Sequence, residues 1–201
     1  MSPAGPWRLL KPLVVIGAFW PLGWLLAGLF GIADQTLGPN PVRELLHATG
    51  TYALNSLMFT LLISPLRDLT GQWQWLSVRR MLGLWAFAYA LLHFLVYTIL
   101  ELDLDARDLL QEIARRPFIL VGLASLLSLL PLALTSTDRM MRRLKKRWQQ
   151  IHYLIYPATA LAIWHFYWQV KADVLEPLIY LCALILLLTW RIAHRQSSNS
   201  H

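Results

Sequence analysis

Four histidines, His47, His93, His152 and His165, stand inside apolar stretches of the chain. An ionisable side chain there is costly unless it is paired, faces a cavity or holds a cofactor. Imidazole in such a setting has two chemistries. A neutral ring can ligate a heme iron or another metal, and a titrating ring can relay protons or ions along a transport path. His152 and His165 share the segment IHYLIYPATALAIWHFYWQ, residues 151–169. Thirteen residues of helix separate them by roughly 20 Å along the axis and turn them about 140° apart, so they belong to opposite leaflets and need not face one cofactor. Pro157, between them, is expected to kink the segment because proline cannot donate a backbone hydrogen bond.

The elements that must position these residues follow from composition. The chain is 57% hydrophobic and only 14% charged, with a mean hydropathy of +0.47. Its apolar residues fall in blocks at about 9–32, 45–64, 81–100, 117–135, 151–170 and 174–193, each near the ~20 residues a helix needs to cross a hydrocarbon core. Backbone groups in lipid must be satisfied internally, so the blocks are predicted to be helices. The expected fold is an all-α integral membrane protein, a six-transmembrane-helix bundle forming a single domain over residues 1–201. Basic residues cluster on the side that would carry both termini, at Arg79 and Arg80 and in the run from Arg139 to Arg147, which puts the termini in the cytoplasm. The +7 formal charge is therefore explained by topology, and nothing indicates nucleic acid. Cys182 is the only cysteine, which excludes an internal disulfide and a cysteine-held cluster.

In this frame His93 and His165 lie at similar depth in the outer half, because the third and fifth helices both run outward from cytoplasmic starts. Gly83, Ala86, Ala90, His93 and Tyr97 recur on one face of the third helix, and Ala158, Ala162, His165 and Gln169 recur on the fifth. Small residues beside a histidine let a helix or a flat cofactor approach closely. Two histidines on separate helices at one depth can clamp a heme iron from both sides. His47, about one turn below the outer interface, shares a polar stripe with Thr51 and Asn55 and is a candidate cofactor contact on that side. Arg79, Arg80, Arg142 and Arg143 can bind anionic lipid, or the phosphate of a nucleotide-like cofactor or a heme propionate. A short amphipathic helix is expected in the outer loop 101–116, where a partner could dock. A second, capped at Ser136, Thr137 or Asp138, should lead into Trp148. The same buried imidazoles would also suit a histidine-dependent transporter, although no intramembrane acidic pair or broken-helix repeat accompanies them. A membrane anchor without redox activity is a third reading. The chain has no Gly-rich dinucleotide fingerprint.

Taken together, ELLHATG, RRMLGLWAFAYALLH, LALTST, KKRWQQIHYLIY and IWHFYW, in that order over nearly the whole chain, resemble the heme-binding membrane subunits of bacterial periplasmic methionine-sulfoxide reductase systems. These subunits belong to the wider group of ferric-reductase-like transmembrane domains. The resemblance implies an inner-membrane b-type cytochrome that also takes up FMN. It would pass electrons from quinol or a cytosolic flavin reductase to a periplasmic molybdenum-containing catalytic partner that reduces methionine sulfoxide in oxidised envelope proteins. No catalytic residue is then expected in this chain. By position His93 and His165 match the family's heme histidines and His152 its third important one, with a second heme as one use for it, while His47 falls in the helix-two motif. The wider group offers two histidines on each of two helices, but the residue thirteen before His93 is Arg80, which leaves His152 without an evident partner at its own depth.

Overall fold

The computed structural model describes residues 7–32, 39–170 and 173–199. The expected cytoplasmic termini, residues 1–6 and 200–201, lie outside them. Every regular element among the described residues is helical: α1 (Trp7–Leu29), α2 (Pro41–Thr70), α3 (Leu76–Val96), α4 (Ala106–Arg115), α5 (Pro117–Leu134), α6 (Asp138–Leu144), α7 (Lys146–His152), α8 (Ile155–Gln169) and α9 (Leu175–Asn199). A single 3-10 turn, Trp73–Trp75, leads into α3, and a π-helical turn, Tyr97–Glu101, continues it. Four stretches are long and apolar enough to cross a membrane: Leu9–Leu29, Trp73–Glu101, Pro117–Leu134 and Leu175–His194. The other two expected blocks are also helical. α2 is long but dilutes its apolar residues with His47, Thr49, Asn55 and Arg67, and α8 has only 15 residues.

Local chemistry sets the ends. The Asn40 side chain accepts from the Arg43 backbone N–H, and Pro41 opens α2 where a missing donor costs nothing. Gly71 closes α2 at φ +68°, the left-handed conformation glycine adopts without strain, and its N–H returns to the Arg67 carbonyl. α2 therefore runs past the expected 45–64 at both ends. Asp105 caps α4, the short helix expected in the outer loop, and Thr137 is the one of three candidates that caps α6.

The expected single helix at 151–170 is in fact two. Helical geometry lapses at Tyr153 and Leu154, four and three residues before Pro157, because proline has no N–H to return to the Tyr153 carbonyl. His152 therefore ends α7 while His165 sits in α8.

α2 packs chiefly on α3, and α5 on α8, with α9 laid against α2 and α8. The shared core holds Leu57, Leu61, Ala86, Leu129, Ile155, Ala158 and Leu184. Ala86 and Ala158 are fully buried, so the small-residue faces expected on the third and fifth helices are where the neighbouring helices close in. Ser125 donates across that contact to the Ala158 carbonyl at 2.8 Å, and Thr159 turns its hydroxyl back to the Ile155 carbonyl, so these buried polar groups are satisfied without water. α1 stays peripheral. It meets α3 through Phe19 on Trp85 and the Tyr89 hydroxyl on the Ala18 carbonyl, and leaves Ile16 and Trp20 outward.

Candidate functional site

The two helix pairs bring His93 of α3 and His165 of α8 together. Their ring centres are 6.1 Å apart and their planes nearly perpendicular, at 84°. Each ring is fixed by the helix paired with its own. His93 Nδ1 donates to the Leu46 carbonyl at 2.9 Å, with Thr49 Oγ1 at 3.4 Å, and His165 Nδ1 donates to the Phe118 carbonyl at 2.7 Å. A carbonyl only accepts, so both Nδ1 atoms carry the proton and each neutral ring keeps its lone pair on Nε2. Thr49 Oγ1 already donates to the Leu45 carbonyl at 2.6 Å, so toward His93 it is a second acceptor.

Both rings lie against a glycine one turn beyond the accepting carbonyl. A Cβ on Gly122 would stand 2.6 Å from His165 Nδ1 and 2.8 Å from its Cε1, and one on Gly50 would stand 3.2 Å from the same two atoms of His93. At 122 any side chain would collide with the imidazole, and at 50 the His93 ring would have to give by a few tenths of an ångström. The two halves are one arrangement used twice. Each accepting carbonyl lies 47 residues before its histidine, and the interval from His93 to His165 also carries Leu46 to Phe118, Gly50 to Gly122 and Ala86 to Ala158. Sequence reasoning picked out the histidines and missed Thr49, Gly50, Gly122 and the Phe118 carbonyl. The shared interval is the signal that could have found them.

A pair of imidazoles suits iron in a porphyrin. The macrocycle fills the equatorial positions, so two protein ligands suffice, and two bonds of about 2 Å to one iron would hold the ring centres roughly 6 Å apart. A bare metal ion would want more protein ligands, and no group of three or more His, Cys, Asp or Glu residues gathers among the described residues. The oriented Nδ1–H groups are the outer hydrogen bonds that metal-bound histidines usually make.

The other expected residues separate. His47 is exposed on α2, its ring 6.4 Å from that of Phe166, the residue after His165, and it does not join the pair. Asn55, from the same stripe, accepts from the Tyr180 hydroxyl at 2.7 Å and ties α2 to α9. His152 lies at the opposite end of the bundle, stacked on Trp148 at 3.8 Å with its Nδ1 bonded to the Trp148 carbonyl at 3.0 Å. Trp148 is itself held by its indole N–H on the Thr135 carbonyl, so the stack is anchored to the end of α5. The repeat interval carries Arg80 to His152, and Arg80 turns outward to pair with Asp138 at the start of α6. It holds the exposed Asp138 carboxyl below the ordinary carboxylate range. Arg79 turns the other way and lies with Tyr156 and Arg191, near His152. Arg142 and Arg143 are exposed, and Arg143 lines an open groove with Lys145, Lys146 and Arg147.

Residues 49–163 match the family described as ferric reductase like transmembrane component. Curated relatives named protein-methionine-sulfoxide reductase heme-binding subunit MsrQ align over almost the full length. The one from Xanthomonas axonopodis pv. citri is 46% identical over 94% of this chain and 88% of its own. That from Xanthomonas oryzae pv. oryzae is 47% identical over the same shares, and that from Bordetella pertussis is 43% identical over 92% of this chain and 89% of its own. No solved structure matches. With the family match spanning more than half of the chain and these relatives nearly all of it, the chain belongs to the MsrQ heme-binding subunits, multi-pass membrane proteins of the ferric-reductase-like transmembrane family.

Proposed function

We propose that the chain is a b-type cytochrome of the bacterial inner membrane, a six-span single domain with both termini cytoplasmic. It takes electrons from quinol or a cytosolic flavin reductase and delivers them to a periplasmic molybdenum-containing methionine-sulfoxide reductase, where the catalysis takes place. The observation that carries this reading is the facing pair His93 and His165, each ring locked by a backbone carbonyl so that its free Nε2 can ligate.

In this orientation the end that holds α6 and α7 is cytoplasmic and the histidine pair lies in the outer half of the bilayer. Heme iron held there would supply one-electron chemistry, cycling between ferric and ferrous states. The protein's part is to keep that chemistry to electron transfer. His93 and His165 would hold the iron through their two Nε2 atoms, which would leave no open coordination site for oxygen. The Leu46 and Phe118 carbonyls, with Thr49, fix the tautomers and enrich the electron density of the ligating nitrogens. Gly50 and Gly122 allow the rings to sit against the helices, and the apolar shell around them keeps water out. The loop 101–116 follows α3 at the outer end, where a periplasmic partner would dock.

At the cytoplasmic end, His152 on its Trp148 stack, with Arg79 alongside, marks where electrons would enter. FMN, or a second heme ligated less firmly than the first, would occupy this end, with Arg79, Arg142 and Arg143 as the cations that would meet its phosphate or propionates, while Arg80 is engaged by Asp138.

The test is a heme and flavin count per chain with an absorption spectrum of the purified protein. One low-spin, reducible b-heme should be present and should be lost on His93→Ala or His165→Ala, while His47→Ala retains it. A full heme spectrum in both variants of the pair overturns the assignment. A colourless protein that moved protons or metal ions in vesicles would point to the transporter instead.

A further inference from the structure

Two guanidinium groups lie at the basic end with no carboxylate to answer them. Among the described residues the ion pairs are Arg67 with Asp68, Arg80 with Asp138 and Arg116 with Glu112. Arg79 of α3 and Arg191 of α9 join none of these, and both are partly buried. They converge on Tyr156 of α8. The Arg191 guanidinium carbon lies 5.1 Å above the centre of the Tyr156 ring, and Arg79 neighbours both residues. The Tyr156 hydroxyl is buried, with the Arg79 guanidinium as its polar neighbour and no acceptor for its own proton. Beside it, Ser64, Pro65, Tyr156, Leu187 and Arg191 line a cavity of about 10 Å³, the size of a single water.

This arrangement is unfavourable as it stands. Two like charges share a partly dehydrated corner at the end of a bundle, and a buried hydroxyl donor goes unused. An anion would relieve all three costs at once, because guanidinium and hydroxyl groups are both donors and a charged acceptor makes the stronger hydrogen bonds. The cavity admits one oxygen and not a whole ion, so the ligand's bulk must stay outside at the level of the membrane interface. Arginine's planar fork fits the oxygens of a phosphate.

We propose that Arg79, Arg191 and Tyr156 form a phosphate-ester site in the cytoplasmic leaflet, which places one phosphate oxygen in the cavity between α2, α8 and α9, with Arg79 of α3 beside the Tyr156 hydroxyl. The chemistry is shared by two sources, the headgroup of an anionic phospholipid and the terminal phosphate of FMN. The inference rests on the orientation proposed above but not on heme binding, and it separates Arg79 from its neighbour Arg80, which Asp138 already neutralises.

The experiment uses the full chain in phosphatidylcholine nanodiscs, with FMN titrated by flavin fluorescence. In parallel, native mass spectrometry counts the phosphatidylglycerol retained after purification from mixed bilayers. Arg79→Gln and Arg191→Gln should each weaken one of these ligands roughly tenfold, and Arg80→Gln should leave both within about twofold of the parent. Loss of FMN affinity identifies the flavin phosphate, and loss of retained lipid identifies the headgroup. Tyr156→Phe keeps the ring and its packing and should lower the same affinity several-fold, which decides the matter if an arginine variant does not yield a monodisperse protein. The proposal is overturned if Arg80→Gln costs as much as Arg79→Gln, if only one of Arg79 and Arg191 matters, or if Tyr156→Phe binds both ligands like the parent. The heme spectrum, read on the same samples, reports separately on the cytochrome reading, since none of these residues touches His93 or His165.

Discussion

Gly122 stands so close to His165 that a Cβ built on it would lie 2.6 Å from Nδ1, inside any contact that real side chains make. The ring cannot swing away freely, because the same nitrogen is bonded to the Phe118 carbonyl one turn earlier on α5. Gly122→Ala should therefore break that hydrogen bond and displace the ligating nitrogen, with heme occupancy falling several-fold. Gly50→Ala meets His93 at 3.2 Å, where a shift of a few tenths of an ångström suffices, and should retain most of its heme. Heme per chain, from absorbance against protein mass, ranks the two. Equal occupancy in both would mean that the glycines are mere packing.

Thr49 gives a finer control on His93. Its hydroxyl donates to the Leu45 carbonyl and presents its oxygen to His93 Nδ1, so the ring has two acceptors where His165 has one. Acceptors at Nδ1 make the opposite nitrogen a stronger donor to iron and favour the ferric state. Thr49→Val keeps shape but deletes one acceptor, and the midpoint potential should rise by a few tens of millivolts, since a hydrogen bond of about 1 kcal/mol bounds the effect. A spectroelectrochemical titration measures it. A potential that does not move, or falls, would show that the Leu46 carbonyl alone sets the tautomer.

How much of this could be read from the chain alone depends on where the information lies. His93 and His165 were legible because side-chain type, membrane-length blocks and the direction of each helix fix depth. Their small-residue beds were legible from three- and four-residue spacing, and Ala86 and Ala158 prove fully buried. The grip on the rings was not legible. A backbone carbonyl such as that of Phe118 has no residue signature, and a glycine in an apolar helix does not say which neighbour needs its space. The split between α7 and α8 lay halfway between. Pro157 announces a missing donor, but a kinked single helix and two helices with an intervening turn differ only in how Tyr153 and Leu154 settle. Arg79 and Arg80 look alike in sequence, and only packing sends one toward Tyr156 and the other toward Asp138.

Ser125 tests the packing of the second helix pair. Its hydroxyl is the hydrogen bond that crosses from α5 to the α8 backbone at Ala158, within the contact that presents His165. Interhelical bonds of this kind in membranes average about 0.6 kcal/mol, so Ser125→Ala should lower thermal stability only slightly and leave the heme spectrum intact. Ser125→Leu should do far more, because Ala158 on the facing helix is fully buried and no space remains. Melting curves in detergent, followed at the heme band and by helical ellipticity, separate the two. A large loss for Ser125→Ala would mean that this single bond, and not close packing, holds α5 to α8.

The pair Arg80 and Asp138 ties the first turns of α3 to the start of α6, and its contribution has a definite pH sign. Arg80 depresses the Asp138 carboxyl, so folding favours the charged form. The stabilisation is present above the ordinary aspartate pKa of about 4 and is lost as the pH falls through the depressed folded value. Both side chains are largely exposed, 46% for Arg80 and 60% for Asp138, so the effect is small and screened by salt. Asp138→Asn should thus melt slightly below the parent at pH 7 in low salt, the gap closing both at acidic pH and on adding salt. Asp138 also lies in the first turn of α6, where a carboxylate favours the helix N-terminus, so the double variant Arg80→Gln/Asp138→Asn is needed to isolate the pair. If the double variant shows the two losses simply adding, the pair contributes nothing and the pH dependence belongs to the helix terminus alone.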